Sequence, residues 1–224
     1  MRPKLVIFDC DGVLIDSEAI SALMLIETLR NHGVTVDLNY VSKHFLGRSY
    51  PTVLKQIRAE FNIVLSDEFE AEYRQRLLKS FATDLQIMPG VRAVITGLDV
   101  RYCLATSSSP ERLKSSLKLV GLSDLFTDRM FTASEVANGK PAPDLFLHAA
   151  AKMNVAPADC LVIEDSLNGI RAGLAAGMKV WRFTGGSHIS DTDRHGSASK
   201  EADFAFDKFD DFFTHAPALK VAGK

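Results

Sequence analysis

The sequence predicts an α/β fold, a Rossmann-like doubly wound parallel sheet with an inserted helical cap subdomain. From about residue 89 onwards, short apolar segments alternate with helical patterns, which is typical of a parallel sheet covered by helices on both faces. A long helical stretch also separates the first apolar strand from the second, although a βαβ crossover needs only about a dozen residues. The surplus predicts two domains, a core formed by residues 1–16 and 86–224 and a helical cap formed by residues 17–85.

The elements follow one another along the chain in a regular order. The first strand is the apolar run Leu5–Phe8. Cap helices are expected at residues 17–31, 37–46, 50–61 and 66–82, since glycines follow the first two and Ser66 is a typical N-cap. Core strands are expected at residues 100–105, 129–131, 160–164, 179–183 and in ADFAF, and core helices at 89–97, 110–119, 143–153 and 167–176. Residues 185–202, rich in glycine and serine, are expected to have little regular structure.

The composition is that of an ordinary globular protein, with 46% hydrophobic and 24% charged residues and a formal net charge of −2. The chain has no basic run, so we expect neither a nucleic-acid nor a membrane partner. The apolar run at the N-terminus is too short for a signal peptide, and no later segment could span a bilayer. The three cysteines lack metal-ligand spacing. We therefore expect a cytoplasmic protein that is a monomer or weak homodimer.

Charged and hydroxyl side chains follow three of the predicted strands. Asp9 and Asp11 follow the first strand, and strand periodicity places both on one side, with Cys10 turned into the core. Ligands bind beyond the carboxyl ends of the strands in open α/β sheets, so we expect one shared site there. Its other members are the hydroxyl run at residues 106–109, the acidic pair Glu164 and Asp165, and Lys140 in the loop NGKPAP.

The charges of these groups predict what the site holds. Four carboxylates and one ammonium group leave a net charge of −3. A hard divalent cation would relieve this charge, and oxygen ligands favour Mg²⁺ over Zn²⁺. Helices that begin after Thr106 and Asp165 would present backbone N–H groups to an anion beside that ion. Together these groups indicate phosphoryl transfer.

Four motifs in this order, DCDGV, LATSS, GKPAPD and VIEDS, resemble those of the haloacid dehalogenase superfamily. The resemblance covers essentially the whole chain and is closest to the branch of β-phosphoglucomutase and the small sugar-phosphate phosphatases. It implies a Mg²⁺-dependent phosphatase that hydrolyses small phosphorylated sugars, polyols or sugar acids through an aspartyl-phosphate intermediate.

The resemblance also implies a role for each motif residue. Asp9 is the expected nucleophile, and Asp11 is expected to protonate the leaving oxygen and then to activate water. Crowding by other carboxylates is expected to raise the pKa of Asp11. Thr106 and Lys140 are expected to hold the phosphoryl oxygens. The expected metal ligands are the carboxylates of Asp9 and Asp165, the backbone carbonyl of Asp11 and, directly or just outside the coordination sphere, Glu164.

Substrate choice is expected to lie in the cap, because the core motifs contact only the phosphoryl group. The candidate loop is FLGRSY, where Gly47 would let the backbone come close to the site. Arg48, Ser49 and Tyr50 would reach substrate hydroxyls, although a solvated turn between helices fits the same residues. Ser107 is a further candidate for substrate binding.

Other function classes stay open as alternatives. The mutases of this branch keep a histidine in the first cap helix and an arginine in the cap loop, whereas here residues 19–21 read Ala-Ile-Ser and the matching loop position is Tyr50. A phospho-accepting signalling module has no use for a helical insertion, and Asp11 would hasten loss of its phosphoryl group. A dehalogenase needs no Mg²⁺ and lacks the second aspartate.

Three polar residues near the motifs are expected to have no catalytic role. Asp16 and Ser17 are expected to cap the first cap helix, and His188 is expected to be a loop histidine without a role.

Overall fold

The computed structural model describes residues 2–45, 48, 50–63 and 65–222, without the side chains of Ser42, Lys43 and Tyr50. Within these residues, six parallel strands form one sheet in the order β3-β2-β1-β4-β5-β6. The chain adds strands to one side of β1 as far as β3 and to the other side from β4 onwards, which confirms the predicted doubly wound sheet. The strands are β1 Leu5–Phe8, β2 Arg101–Thr106, β3 Met130–Thr132, β4 Cys160–Glu164, β5 Lys179–Phe183 and β6 Phe204–Phe206.

Helices fill the sequence between β1 and β2, where the insertion is predicted. They are α1 Glu18–Asn31, α2 Leu38–His44, α3 Tyr50–Phe61 and α4 Asp67–Asp84. Ser66 caps α4 as predicted, because its side chain accepts a hydrogen bond from the backbone N–H of Phe69. The later helices are α5 Val91–Gly97, α6 Pro110–Leu119, α7 Asp144–Lys152, α8 Leu167–Ala175, α9 Asp191–Arg194, α10 Ser197–Glu201 and α11 Phe212–His215. None of the helices described is both long and apolar enough to cross a membrane.

Residues 185–202 are more regular than the sequence indicates, since α9 and α10 lie within them. Arg182 of β5 explains this order. Its Nη1 donates to the backbone oxygen of Asp193 at 2.7 Å and to Ser199 Oγ at 2.7 Å, so one buried guanidinium anchors both helices. The anchor lies on a neighbouring strand, outside the glycine- and serine-rich segment.

Strand β1 lies at the centre of the hydrophobic core and is fully buried. Val6 and Phe8 pack into the apolar cluster on one face, and Leu5 and Ile7 into the cluster on the other, as strand alternation requires. The cluster of Val6 and Phe8 continues into the helices of the insertion, where Phe81 of α4 belongs to it. The apolar core is therefore continuous from the sheet into the helices between β1 and β2.

Two adjacent segments connect the sheet with the helical insertion. The backbone N–H of Asp16 donates to the carbonyl of Gln86 at 2.9 Å, and Ile15 pairs with Ile87 in an antiparallel bridge. The chain therefore leaves and re-enters the core side by side, just beyond the carboxyl end of β1. This arrangement places the inserted helices beside the residues that follow β1.

Candidate active site

The predicted motif residues converge at one edge of the sheet. Strands β2, β1 and β4 are neighbours, so the residues at their carboxyl ends meet there. Asp9 follows β1, Thr106 ends β2 and Glu164 ends β4. The strand order reverses at β1, and such a reversal is where open α/β sheets bind ligands.

Lys140 links all three strand ends. Its Nζ lies 2.7 Å from Asp9 Oδ1 and 2.7 Å from Glu164 Oε1, and it also donates to the carbonyl of Ala105 at 3.3 Å. Burial alone would lower the pKa of Lys140, but the carboxylates of Asp9 and Glu164 outweigh burial and raise it above its usual value. Lys140 is therefore a buried cation that holds two acidic groups together.

Asp9, Glu164 and Asp165 form a buried acidic cluster that could hold a metal ion. One carboxylate oxygen from each lies within 4.8 Å of the others. Burial and the neighbouring carboxylates raise the pKa of Asp9, against the opposing effect of Lys140. Burial and Glu164 likewise raise the pKa of Asp165. An all-carboxylate donor set of this kind fits a hard cation such as Mg²⁺, which would relieve the repulsion.

Glu164 is the member of the cluster whose two oxygens already have partners. Oε1 accepts from Lys140, while Oε2 accepts from the backbone N–H and the hydroxyl of Ser166 at 2.7 and 3.0 Å. Gly169 makes room for this carboxylate, because a Cβ there would lie 1.6 Å from Glu164 Oε1. The geometry gives Glu164 a role in fixing Lys140 besides any contact with a metal.

The Asp11 side chain lies outside this acidic cluster. Its Oδ1 accepts from Ser17 Oγ at 2.5 Å and from Arg112 Nη2 at 2.6 Å, and its Oδ2 accepts from Ser108 Oγ at 2.5 Å. Burial would raise the pKa of Asp11, but the Arg112 guanidinium and the two hydroxyls lower it below its usual value. The expected upward shift is therefore wrong, because a cation and hydroxyl donors surround Asp11 in place of carboxylates.

The hydroxyl run after β2 divides into different environments. Thr106 Oγ1 is buried and accepts from the backbone N–H of Ser108 at 3.1 Å, which leaves its own hydrogen available to a ligand. Ser109 caps α6 by accepting from the N–H of Arg112. Ser107 Oγ is buried without a hydrogen-bond partner among the residues described. A buried hydroxyl of this kind needs an explanation, and a bound ligand would supply the missing partner.

A cavity of about 600 Å³ opens between the strand ends and the inserted helices. Arg48 lines it, and its Nη1 donates to Gln56 Oε1 at 2.9 Å. Of the other predicted cap contacts, Gly47 and Ser49 lie outside the described residues, and Tyr50 begins α3 with its side chain undescribed. Core residues of the wall include Asp9, Thr106, Ser107 and Lys140, and further wall residues from the insertion include Glu18 and Tyr73.

Arg112 and Glu18 are site residues that the motif analysis missed. Arg112 Nη2 also donates to Ser21 Oγ at 3.0 Å, and the guanidinium lies over the ring of Phe81 at 5.3 Å. A basic residue in the first turn of a helix opposes the helix dipole, and that signal could have revealed an acidic partner. Glu18 is buried at the cavity wall, and its pKa rises to about 8 through burial and through the charges of Asp11 and Asp165.

The capping expected of Ser17 and Asp16 is wrong, and His188 is more buried than a loop position indicates. Ser17 occupies the N-cap position of α1 but makes no side-chain cap, because its hydroxyl is used on Asp11. Asp16 does not cap α1 either, since its Oδ1 accepts from the N–H and hydroxyl of Ser187. His188 is buried, with Nε2 2.9 Å from Asp165 Oδ2. The partners of Asp16 and His188 lie on distant segments of the chain, and that of Ser17 precedes the helix, so local helix patterns do not reveal them.

Comparisons with known proteins identify the family of the chain. The family model of haloacid dehalogenase-like hydrolases matches residues 3–177. The chain is 29% identical to 6-phosphogluconate phosphatase of Escherichia coli, over 84% of this chain and 85% of that protein. It is 31% identical to hexitol phosphatase A of the same organism, over 80% and 82% of the two chains.

A solved structure extends the likeness to the fold. The crystal structure of a conserved haloacid dehalogenase-like protein of unknown function from Agrobacterium tumefaciens superimposes with a TM-score of 0.80 at 32% identity. The match covers 96% of this chain and 98% of that one. With the family model spanning most of the chain, the protein belongs to the haloacid dehalogenase-like hydrolases, and within them it is a phosphatase.

Proposed function

We propose that this phosphatase hydrolyses phosphate monoesters of small sugars, polyols or sugar acids, with Mg²⁺ and through an aspartyl-phosphate on Asp9. The observation that carries the proposal is the Asp9 carboxylate, which Lys140 holds at 2.7 Å within a buried acidic cluster on the wall of a cavity. Bound Mg²⁺ would offset the negative charge of the phosphoryl group as it approaches this cluster.

The proposed metal ligands are Asp9, Asp165 and the backbone carbonyl of Asp11. The side-chain cluster of Asp9, Glu164 and Asp165 supports the carboxylate part of this set. Glu164 is proposed as a neighbour that fixes Lys140, with direct metal contact as the alternative.

In the proposed first step, a carboxylate oxygen of Asp9 attacks phosphorus and the bond from phosphorus to the ester oxygen breaks. Asp11 gives a proton to the leaving oxygen, so the product leaves as an alcohol. Lys140, Thr106 and Ser107 hold the phosphoryl oxygens, a role that suits the unpartnered Ser107 hydroxyl. The Arg112 contact lowers the pKa of Asp11, so the negative charge of the entering substrate must favour the protonated form of Asp11 for this step.

In the proposed second step, Asp11 takes a proton from water as the water oxygen attacks phosphorus. The bond between phosphorus and the Asp9 oxygen breaks, which releases inorganic phosphate and restores the carboxylate. The lowered pKa of Asp11 favours the ionised form that accepts this proton.

The proposed substrate class rests on the cavity and on the relatives. A volume of about 600 Å³ lies within the usual range of about 300–1,000 Å³ for small-molecule sites. The matched relatives are named for 6-phosphogluconate and hexitol phosphatase activity. Arg48 at the cavity wall is the proposed cap contact, together with Gly47, Ser49 and Tyr50.

We also propose the division into a core domain of residues 1–16 and 86–224 and a cap domain of residues 17–85. The paired crossings at Asp16 and Gln86 support these boundaries. A monomer or weak homodimer belongs to the same proposal.

A panel assay tests the proposed reaction. Purified protein should release inorganic phosphate from 6-phosphogluconate, hexitol phosphates or hexose phosphates in the presence of Mg²⁺. Chelation should abolish the release, and added Mg²⁺ should restore it. Asp9→Asn should reduce turnover to background while the thermal melting profile stays cooperative, because an amide of the same size cannot attack phosphorus. Undiminished hydrolysis by this variant, or by the exhaustively chelated protein, would contradict the proposal.

A further inference from the structure

We propose that His188 is a positioning residue of the metal site, whose ring fixes the carboxylate of Asp165 for the ion by packing against it. The inference rests on the metal site proposed above. His188 Nε2 lies 2.9 Å from Asp165 Oδ2, and the two side chains are 7% and 4% exposed. An ionised carboxylate can only accept, so any polar attraction in this contact needs a proton on Nε2.

The imidazole lies in a slot formed by two glycines. At Gly12, a Cβ would lie 2.2 Å from Asp165 Oδ2 and 3.0 Å from His188 Cε1. At Gly186, a Cβ would lie 2.7 Å from the His188 ring. The backbone after β1 and the segment of residues 185–189 therefore both lack side chains where the ring fits against Asp165.

Hydrogen bonds near this contact tie Ser187 of the segment, and Arg182 of β5, to the site. Ser187 donates to Asp16 Oδ1 from its backbone N–H at 3.1 Å and from its hydroxyl at 2.9 Å. Arg182, on the strand that precedes the segment, donates from Nε to the carbonyl of Asp165 at 3.0 Å. Asp165 is thus held through its main chain by Arg182 and through its side chain by His188.

The contact limits how the Asp165 carboxylate can turn. The imidazole beside Oδ2 occupies space on that side of the carboxylate, which favours Oδ1 for coordination. Partners of this kind orient metal-ligating carboxylates, and their loss typically weakens metal affinity by about 10–100-fold. The same reasoning explains why a histidine without metal-ligand spacing is buried beside an acidic cluster.

Metal binding can be measured without turnover. Isothermal titration with Mg²⁺, and the free Mn²⁺ signal in electron paramagnetic resonance, give dissociation constants for the substrate-free protein. His188→Ala should weaken the affinity for both metals by about 10–100-fold. His188→Gln, whose amide nitrogen can donate from a similar position, should recover part of that loss. Ser187→Ala is the matched control, because it removes the hydroxyl bond to Asp16 and keeps both the backbone bond to Asp16 and the imidazole.

Each outcome bears on the inference. Equal or tighter metal binding by His188→Ala would overturn it, since the ring would then be neutral or would compete with the ion. An equal loss in Ser187→Ala would assign the effect to the anchoring of the segment and would also overturn it. If His188→Ala does not fold, the metal affinities of His188→Gln and Ser187→Ala are compared instead. Weaker metal binding by His188→Gln than by Ser187→Ala supports the inference, and equal binding overturns it. Wild-type protein that binds neither metal would refute the proposed metal site. If the wild type binds metal and His188→Ala binds it equally well, only the present inference is refuted.

Discussion

Among individual residues, Asp9 and Glu18 are both buried acids, but their partners differ. Asp9 has the ammonium of Lys140 at 2.7 Å. Glu18 has no hydrogen bond to its carboxyl among the described residues. Burial and the like charges of Asp11 and Asp165 raise its pKa, and the cationic groups of His188 and Arg112 oppose this rise. An acid in such surroundings is more stable in its neutral form.

Glu18 should make the stability of the protein depend on pH. Burial raises its pKa from 4.5 to about 8, so the folded state binds a proton more tightly than the unfolded state. This contribution to stability is fully present below the unfolded pKa of 4.5 and is lost as the pH rises through about 8. Glu18→Gln should therefore melt near the wild-type temperature at acidic pH and above it at alkaline pH, as measured by thermal denaturation in a chelator.

The control for this experiment is Glu27→Gln, which changes an exposed glutamate on the same helix. Its melting temperature should follow that of the wild type across the pH range. A constant difference between Glu18→Gln and wild type at all pH values would contradict the assignment.

Among the elements, α6 connects the residues that follow β1 with the insertion, chiefly through Arg112. Arg112 projects from the first turn of α6 to Asp11, to Ser21 of α1 and over Phe81 of α4. A cation in the first turn of a helix is unfavourable because it faces the positive end of the helix dipole. The three contacts of the Arg112 guanidinium offset this unfavourable interaction. Its charge is maintained, because Asp11, Tyr73 and Glu18 raise its pKa above the usual value despite burial.

Replacing Arg112 should loosen the helical insertion. Arg112→Met removes the donors to Asp11 and Ser21 and the cation over Phe81. A hydrogen bond to a charged group contributes about 1.5–3 kcal/mol, so the amides of α1 and α4 should exchange with solvent roughly tenfold faster or more in hydrogen–deuterium exchange. Lys118→Met, on the exposed face of the same helix, should leave exchange unchanged. Equal exchange in α1 and α4 of the two variants would contradict a connecting role for Arg112.

The elements also show which features are predictable from sequence. The strand ends are predictable, because apolar runs stop abruptly at Asp9 and Glu164, and the sheet topology then brings the motif residues together. The surroundings of Asp11 are not predictable, because Arg112 is about a hundred positions away and the direction of its side chain depends on how α6 packs. The order of residues 185–202 depends on Arg182, which lies outside that segment. Contacts between elements decided each of these differences.

For the whole molecule, two parts of the fold line the cavity. The sheet edge supplies the acids, Lys140 and the hydroxyls, while α1–α4 supply the opposite wall. The insertion lies between β1 and β2, so the chain crosses between these parts at the two adjacent segments beside Asp16 and Gln86. On the proposed division of roles, we expect changes in the insertion to alter the substrate without moving the reacting groups.

This division gives a test between a phosphatase and a phosphosugar mutase, which differ in what receives the phosphoryl group from Asp9. A mutase must hold a bisphosphate at both ends. Here the stretch of residues 19–21 has no histidine, and Ser21 Oγ is engaged by the carbonyl of Ser17 and by Arg112. Arg48 is directed to Gln56. With Ser21 and Arg48 both engaged within the protein, we expect water to take the phosphoryl group. A hexose 1-phosphate, incubated with Mg²⁺ and catalytic bisphosphate, should release inorganic phosphate faster than it forms the 6-phosphate, whereas the reverse order of rates would establish the mutase.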